Sequence, residues 1–221
     1  MGLFFRYNLF RDVGHEQVYE ALSDIWSAQG RPLVDAGEDS TVRDRYTLHA
    51  EHEGWTLLGW DRGWEWDLRR KAQLHVSRVL DCSGLLTFVY DGDWWGYELF
   101  SAGRAIDRYV QEAAEGDWFP GQPTAGRPDL VVTAFPGLGL SEPLAAQYLA
   151  PQPEDLWCVD DHPWDIRVQP HDAYTRGHTL AFQDFWRFLG AGISEVPRDH
   201  WTIITPDAPA WREFAVPEQH A

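Results

Sequence analysis

The chain has 221 residues, 44% of them hydrophobic, and 35 Asp and Glu against 18 Lys and Arg give it a formal charge of −17. The hydrophobic content excludes disorder over the whole length, and no apolar run approaches the ~18–20 residues needed to span a bilayer. Such a charge repels phosphates and anionic lipid and attracts cations, so neither nucleic acid nor a membrane is the expected partner, and a basic protein is.

The acidity is uneven, with 13 acids and 10 bases over residues 1–80 but 22 acids and 8 bases over residues 81–221. The N-terminus lacks the hydrophobic region and small-residue cleavage site of a signal peptide. Two cysteines far apart, Cys82 and Cys158, do not make a disulfide framework; reduced, mostly buried thiols in a cytoplasmic protein are expected.

In chain order, Gly2–Leu9 reads as a first strand, with Phe4 and Tyr7 among its bulky residues. A helix is expected over His15–Gln29, because Val18, Leu22, Ile25 and Trp26 fall at i, i+4, i+7 and i+8 and share a face. Gly30 and Pro32 supply its stop. Asp35–Asp44 is an acidic loop, and Arg45–His52 with Trp55–Trp60 forms a hairpin across Glu53-Gly54. A second helix spans Glu65 to Asp81, with Leu68, Ala72, His75, Val76 and Val79 on one side. Gly84–Gln111 then holds three antiparallel strands with tight turns at Asp91-Gly92 and Ala102-Gly103, where glycine accepts the positive φ of short hairpins. The order β-α-β-β-α-β-β-β predicts an α+β fold, an antiparallel sheet with helices packed on one face.

Gly116–Gly139 is rich in Pro and Gly and reads as a connection around one apolar run, Leu130–Phe135. Beyond it, Glu142–Leu149, Pro153–Val159 and Tyr174–Leu189 read as helices. The last carries His178, Phe182, Phe185, Trp186 and Leu189 as an aromatic stripe, with Gly190 or Gly192 as its cap. Trp201–Thr205 is the expected last strand, followed by a loosely ordered, Pro-containing tail. The organisation expected is a single domain over 1–221: an α+β core (1–115), the Pro/Gly-rich connection (116–139) and a mainly helical C-terminal extension (140–221).

Thirteen tryptophans are the most unusual count in the composition. Core packing is the ordinary use of such residues. The competing expectation is a surface patch built from some of Trp60, Trp64, Trp66 and one of Trp94 and Trp95, whose side chains point to opposite faces of their strand, one of them to the core and the other outward or under the helical extension. Glu98, in mid-strand, invites an ion-pair ladder with Arg104 and Arg108, near Asp107 on the adjacent strand, or a role in a site.

The histidines lack metal-ligand spacing. His49 and His52 point to opposite faces of a strand end, His15, His75 and His178 have no second ligand at i+4, and Asp160-Asp161-His162 with His171 stands as an isolated grouping. Asp91-Gly92-Asp93 fails as a calcium loop, because Leu99 and Ala102 occupy the ninth and twelfth positions. Cys82 follows Asp81, and Cys158 sits among Glu154, Asp155, Asp160 and Asp161, so neighbouring acids make both poor nucleophiles. No Ser stands in a GxSxG elbow. No catalytic residue, metal or cofactor is therefore expected.

The segment VYDGDWWGYELFSAGRAIDRYVQ resembles a strand-turn-strand signature, Y-D-S-D-x-W-x-Y-x-L-F-x-x-G-x-x-x-D-x-F. The matching positions are Tyr90, Asp91, Asp93, Trp95, Tyr97, Leu99, Phe100, Gly103, Asp107 and Tyr109. The segment is also similar to elements of the SUKH superfamily, α+β proteins that include many toxin-immunity proteins. The resemblance covers a limited part of the chain and is structural rather than catalytic. It implies a non-enzymatic, protein-binding role, frequently neutralisation of a toxin.

The function expected is a non-catalytic acidic module that binds a basic protein through Trp60, Trp64, Asp91, Asp93, Trp94, Trp95, Tyr97 and Glu98. The alternative is a small-molecule-binding protein or enzyme with a pocket between the sheet and the C-terminal helices. Trp95, Tyr97 and Trp186 would line that pocket, and His178 or Glu98 would transfer protons.

Overall fold

The central strands of this chain, WTLLGW, SGLLTFVY and WWGYELFS, are apolar on both faces, so the sheet they build has to be covered on both. The computed structural model describes residues 5–35, 44–60, 66–90, 94–111, 125–150, 167–191 apart from 177 and 179, and 209–216. In order these are β1 (Phe5–Arg11), α1 (His15–Ala28), β2 (Val34–Asp35), β3 (Asp44–His49), β4 (Trp55–Trp60), α2 (Trp66–Val79), β5 (Ser83–Tyr90), β6 (Trp94–Ser101), β7 (Arg104–Val110), α3 (Pro128–Ala134), α4 (Glu142–Tyr148), α5 (Ala181–Phe188) and β8 (Ala210–Val216). The strands form one sheet of order β2-β8-β3-β4-β1-β5-β6-β7, antiparallel at every pairing. The fold is α+β.

Alternation sorts the core into two. On one face Phe10, Tyr46, Leu48, Leu58, Trp60 and Phe214 pack against Val18, Leu22 and Trp26 of α1 and Ala72 and Val76 of α2. On the other, Leu9, Leu57, Leu85, Trp95, Tyr97 and Leu99 pack under Val131 of α3, Tyr148 of α4 and Phe182, Phe185 and Trp186 of α5. The helices expected on one face are thus α1 and α2, and the C-terminal extension lies across the opposite face. Phe182, Phe185, Trp186 and Leu189 are each 0% exposed. Full burial of side chains of this size stabilises by about 1.5–3 kcal/mol each, which fixes the short α5 in place.

Two hairpin turns follow the expected chemistry. Glu53 and Gly54 have φ of 51° and 79°, and Ala102 and Gly103 have 46° and 76°, the paired positive values of a type I′ turn. Gly103 is doubly constrained, since a Cβ there would stand 2.5 Å from the Cβ of Arg78.

Three expectations are corrected. The tail is not loose where Ala210–Val216 forms β8 and pairs with β3 and β2. The apolar run of the connection is helical, as α3. The last helix begins at Ala181 rather than Tyr174, because the Asp184 carboxylate accepts hydrogen bonds from the N–H groups of Ala173 and Tyr174, at 3.0 and 2.8 Å, and folds that segment back as turns. The expected helix Pro153–Val159, the strand Trp201–Thr205 and the turn Asp91-Gly92 lie outside the described residues.

Candidate functional site: an aromatic and acidic face of α1 and β8

The residues expected to make one binding patch are separated by the sheet. Trp60, Trp94 and Glu98 belong to the face under α1 and α2, whereas Trp95 and Tyr97 belong to the face under α5. None is a surface aromatic: Trp60, Trp94, Trp95 and Tyr97 are all buried. Trp60 donates its indole N–H to Asn8 Oδ1, and Asn8 donates in turn to Gln73 Oε1. Trp94 meets Phe88 edge-on at 5.8 Å. The surface-patch expectation fails for these residues because both faces of the sheet carry helices. Trp64, Asp91 and Asp93 lie outside the described residues.

The aromatic residues expected to line a pocket are packed in the core. Trp95 lies 5.6 Å from Phe185, and Tyr97 stacks on Phe185 at 5.7 Å with an interplanar angle of 9°. Trp186 donates its indole N–H to Thr87 Oγ1 at 3.1 Å. These rings are buried between the sheet and α5. Glu98 faces the opposite side of the sheet and cannot join them. His178, for its part, accepts the Leu180 N–H on Nδ1 at 3.0 Å.

Glu98 is an ion-pair residue. It stands directly across from Arg108 in the β6–β7 register, as the ladder reading requires. Its direct partner, however, comes from α2: Arg70 Nε donates to both carboxylate oxygens at 2.9 Å. Burial lowers the Arg108 pKa, with Glu98 opposing that shift and Arg70 adding to it. Asp107 points to the other face and accepts from the Tyr97 hydroxyl and the Arg127 N–H, both at 2.8 Å. Burial first, and then Asp107, hold the Tyr97 phenol well above its usual pKa.

Two further carboxylates are buried in the α5 layer. Asp172 accepts from the Tyr148 hydroxyl at 3.0 Å and the Gln169 N–H at 2.8 Å. Asp184 binds two backbone N–H groups and Arg187, and burial is the main reason its pKa is raised. Both are consumed in holding the 168–174 turns onto α4 and α5. Cys82 is buried, and burial together with Asp81 pushes its thiol up to about 11. It is a poor nucleophile.

The surface carries a different arrangement. The β3–β8 register pairs Leu48 with Arg212 but His49 with Ala210, leaving Trp211 as the extra residue of a bulge. A bulge re-aims side chains, and here both Trp211 and Arg212 meet α1. Trp211 packs on His15 at 4.6 Å and meets Tyr19 at 5.9 Å. The Arg212 guanidinium lies 4.2 Å over the Tyr19 ring and donates to Asp35 Oδ1. Trp211 stays 37% exposed. His15 is held by the Glu51 N–H, which donates to its Nδ1 at 3.2 Å.

The outer side of the same helix is acidic. Glu16, Glu20 and Asp24 are exposed at i, i+4 and i+8, and α1 contains no Lys or Arg. The helix is oriented by its apolar face, Val18, Ala21, Leu22 and Trp26, so Glu16 and Glu20, next in the chain to His15 and Tyr19, look outward, while the charge of Asp24 acts on His75 of α2. This grouping can attract and stack a cation; it has no nucleophile–base pair. Trp211 was hidden from sequence reasoning by its place in a Pro-flanked tail, although a seven-residue run between Pro209 and Pro217 is a strand signal. Among the described residues no group of three His, Cys, Asp or Glu could hold a metal ion, and no helix is long and apolar enough to cross a membrane. No protein-family model matches the chain, and neither a curated protein nor a solved structure matches it.

Proposed function

We propose that this protein is a non-catalytic binding module of the cytoplasm whose partner is a protein with a basic surface, and that the α1–β8 face is where the partner docks. The observation that carries the reading is the bulge at Trp211, which sets an exposed indole on an acidic helix that has neither Lys nor Arg. Exposed aromatics anchor protein contacts, and the surrounding charge of −17 speeds encounter with a cationic surface. The SUKH-like signature of β5–β7 adds an immunity-type role, neutralisation of a toxin domain, as the form such binding would take. The internal carboxylates support the non-catalytic part of the proposal, since Glu98, Asp107, Asp172 and Asp184 are each engaged in structural bonds.

The test is affinity capture from a lysate of the native host with the full chain and with a Glu16→Gln/Glu20→Gln/Trp211→Ala variant. The reading predicts one stoichiometric basic protein that the wild type retains at low salt, loses as salt rises, and that the variant fails to retain. Equal capture by both proteins would remove the α1–β8 face from the interface.

A further inference from the structure

We infer that the exposed indole of Trp211, with the carboxylates of Glu16 and Glu20 on the helix that packs on it, is the seat for an arginine side chain of the partner; the inference rests on the α1–β8 face being the docking surface. The chain already contains one copy of the arrangement. Arg212 lays its guanidinium 4.2 Å over the ring of Tyr19 while donating to Asp35 from Nε at 2.9 Å and from Nη2 at 2.5 Å. That is a planar cation on an aromatic face with a carboxylate as its second partner. The neighbouring ring, Trp211, is the better cation acceptor, because indole has the strongest π-face of the side chains.

Trp211 is set up for the same use. His15 and Tyr19 fix its orientation by packing on it, yet it keeps 37% of its surface in water. Glu16 and Glu20, one helical turn apart and exposed, are the chain neighbours of His15 and Tyr19, the two residues that pack on Trp211. Like charges at that spacing destabilise a helix, and α1 has no base to offset them. A guanidinium fits better than an ammonium, because it stacks flat on the indole and still directs N–H donors to the carboxylates. Anions are repelled by these carboxylates. An apolar docking segment finds too little surface: of the large apolar residues exposed on the described part of β2 and β8, Val34 sits opposite Ala215, at the far end of β8 from Trp211.

The experiment uses the full chain and a fluorescein-labelled nona-arginine peptide, followed by anisotropy across a salt series, with nona-citrulline as the uncharged analogue. Four variants are compared: Trp211→Ala, Trp211→Phe, Glu16→Gln/Glu20→Gln, and a control that removes two exposed acids elsewhere, Asp81→Asn/Glu142→Gln. The proposal predicts arginine-peptide binding without citrulline-peptide binding. It also predicts a roughly three- to fivefold weakening in Trp211→Ala, the size of an exposed cation–π contact, and a smaller one in Trp211→Phe. Glu16→Gln/Glu20→Gln should weaken binding and flatten its salt dependence, and the control should change little. Unchanged affinity in Trp211→Ala with weakening in Glu16→Gln/Glu20→Gln would overturn the arginine seat and leave the acidic docking face standing. Equal weakening by both charge-removing variants would overturn both readings, because binding would then follow net charge alone. Equal binding of the citrulline peptide would overturn the seat, since no cation would be needed.

Discussion

At the scale of single residues, environment decides what each group can do. Cys82 is buried beside Asp81 and its thiol is pushed up to about 11. With the folded pKa raised above the unfolded value, the stability contributed by the neutral thiol is fully present below the ordinary cysteine pKa and is lost as pH rises through about 11. In a Cys158→Ser background, iodoacetamide at about pH 8.5, the pKa of a free thiol, should alkylate Cys82 far more slowly in the native than in the urea-unfolded chain. Equal rates would contradict its burial. Glu98 lies between Arg70 and Arg108. Glu98→Gln removes the carboxylate they share and should cost about 1.5–3 kcal/mol in urea unfolding, the worth of a hydrogen bond to a charged group. A loss no larger than that of an ordinary surface substitution would show that the arginines find other partners. The Arg108 half of this cluster was legible from strand alternation; the Arg70 half was not, because a helix and a strand are brought together only by tertiary packing.

At the scale of elements, short-range chemistry is plain in the sequence. The Glu53-Gly54 and Ala102-Gly103 turns, the amphipathic face of α1 and the three-strand meander follow from spacing and glycine placement alone. What escaped the sequence was long-range. The length of α5 is set by Asp184 capturing backbone donors ten and eleven residues earlier, which helical periodicity does not report. β8 is short, bounded by prolines and paired with strands far earlier in the chain. Its part in the fold can be tested by truncation. Ending the chain at residue 208 strips β3 of a partner, leaves β2 unpaired and removes Phe214, which stacks on Tyr46 at 5.1 Å. Such a chain should lose the cooperative unfolding transition of the whole protein, or unfold at a markedly lower urea midpoint. A truncated chain with the full-length midpoint would mean that β8 contributes nothing to the sheet.

At the scale of the whole molecule, the sheet acts as a partition. Helices cover both of its faces, so most of the described aromatic residues lie inside, and the described residues that looked like one binding patch are divided between the two faces. The candidate site was only half legible for this reason. An acidic surface with an exposed aromatic was expected from composition, yet its location depends on a bulge that no residue pattern announces. The α1–β8 face combines what the described part of the meander does not, an exposed indole and the exposed carboxylates of Glu16 and Glu20. Hydrogen–deuterium exchange of the protein, free and bound to its captured basic partner, tests this most directly. The account predicts added protection over His15–Ala28 and Ala210–Val216, with β5–β7 unchanged. Protection confined to β5–β7 or to the α3–α5 layer would contradict it.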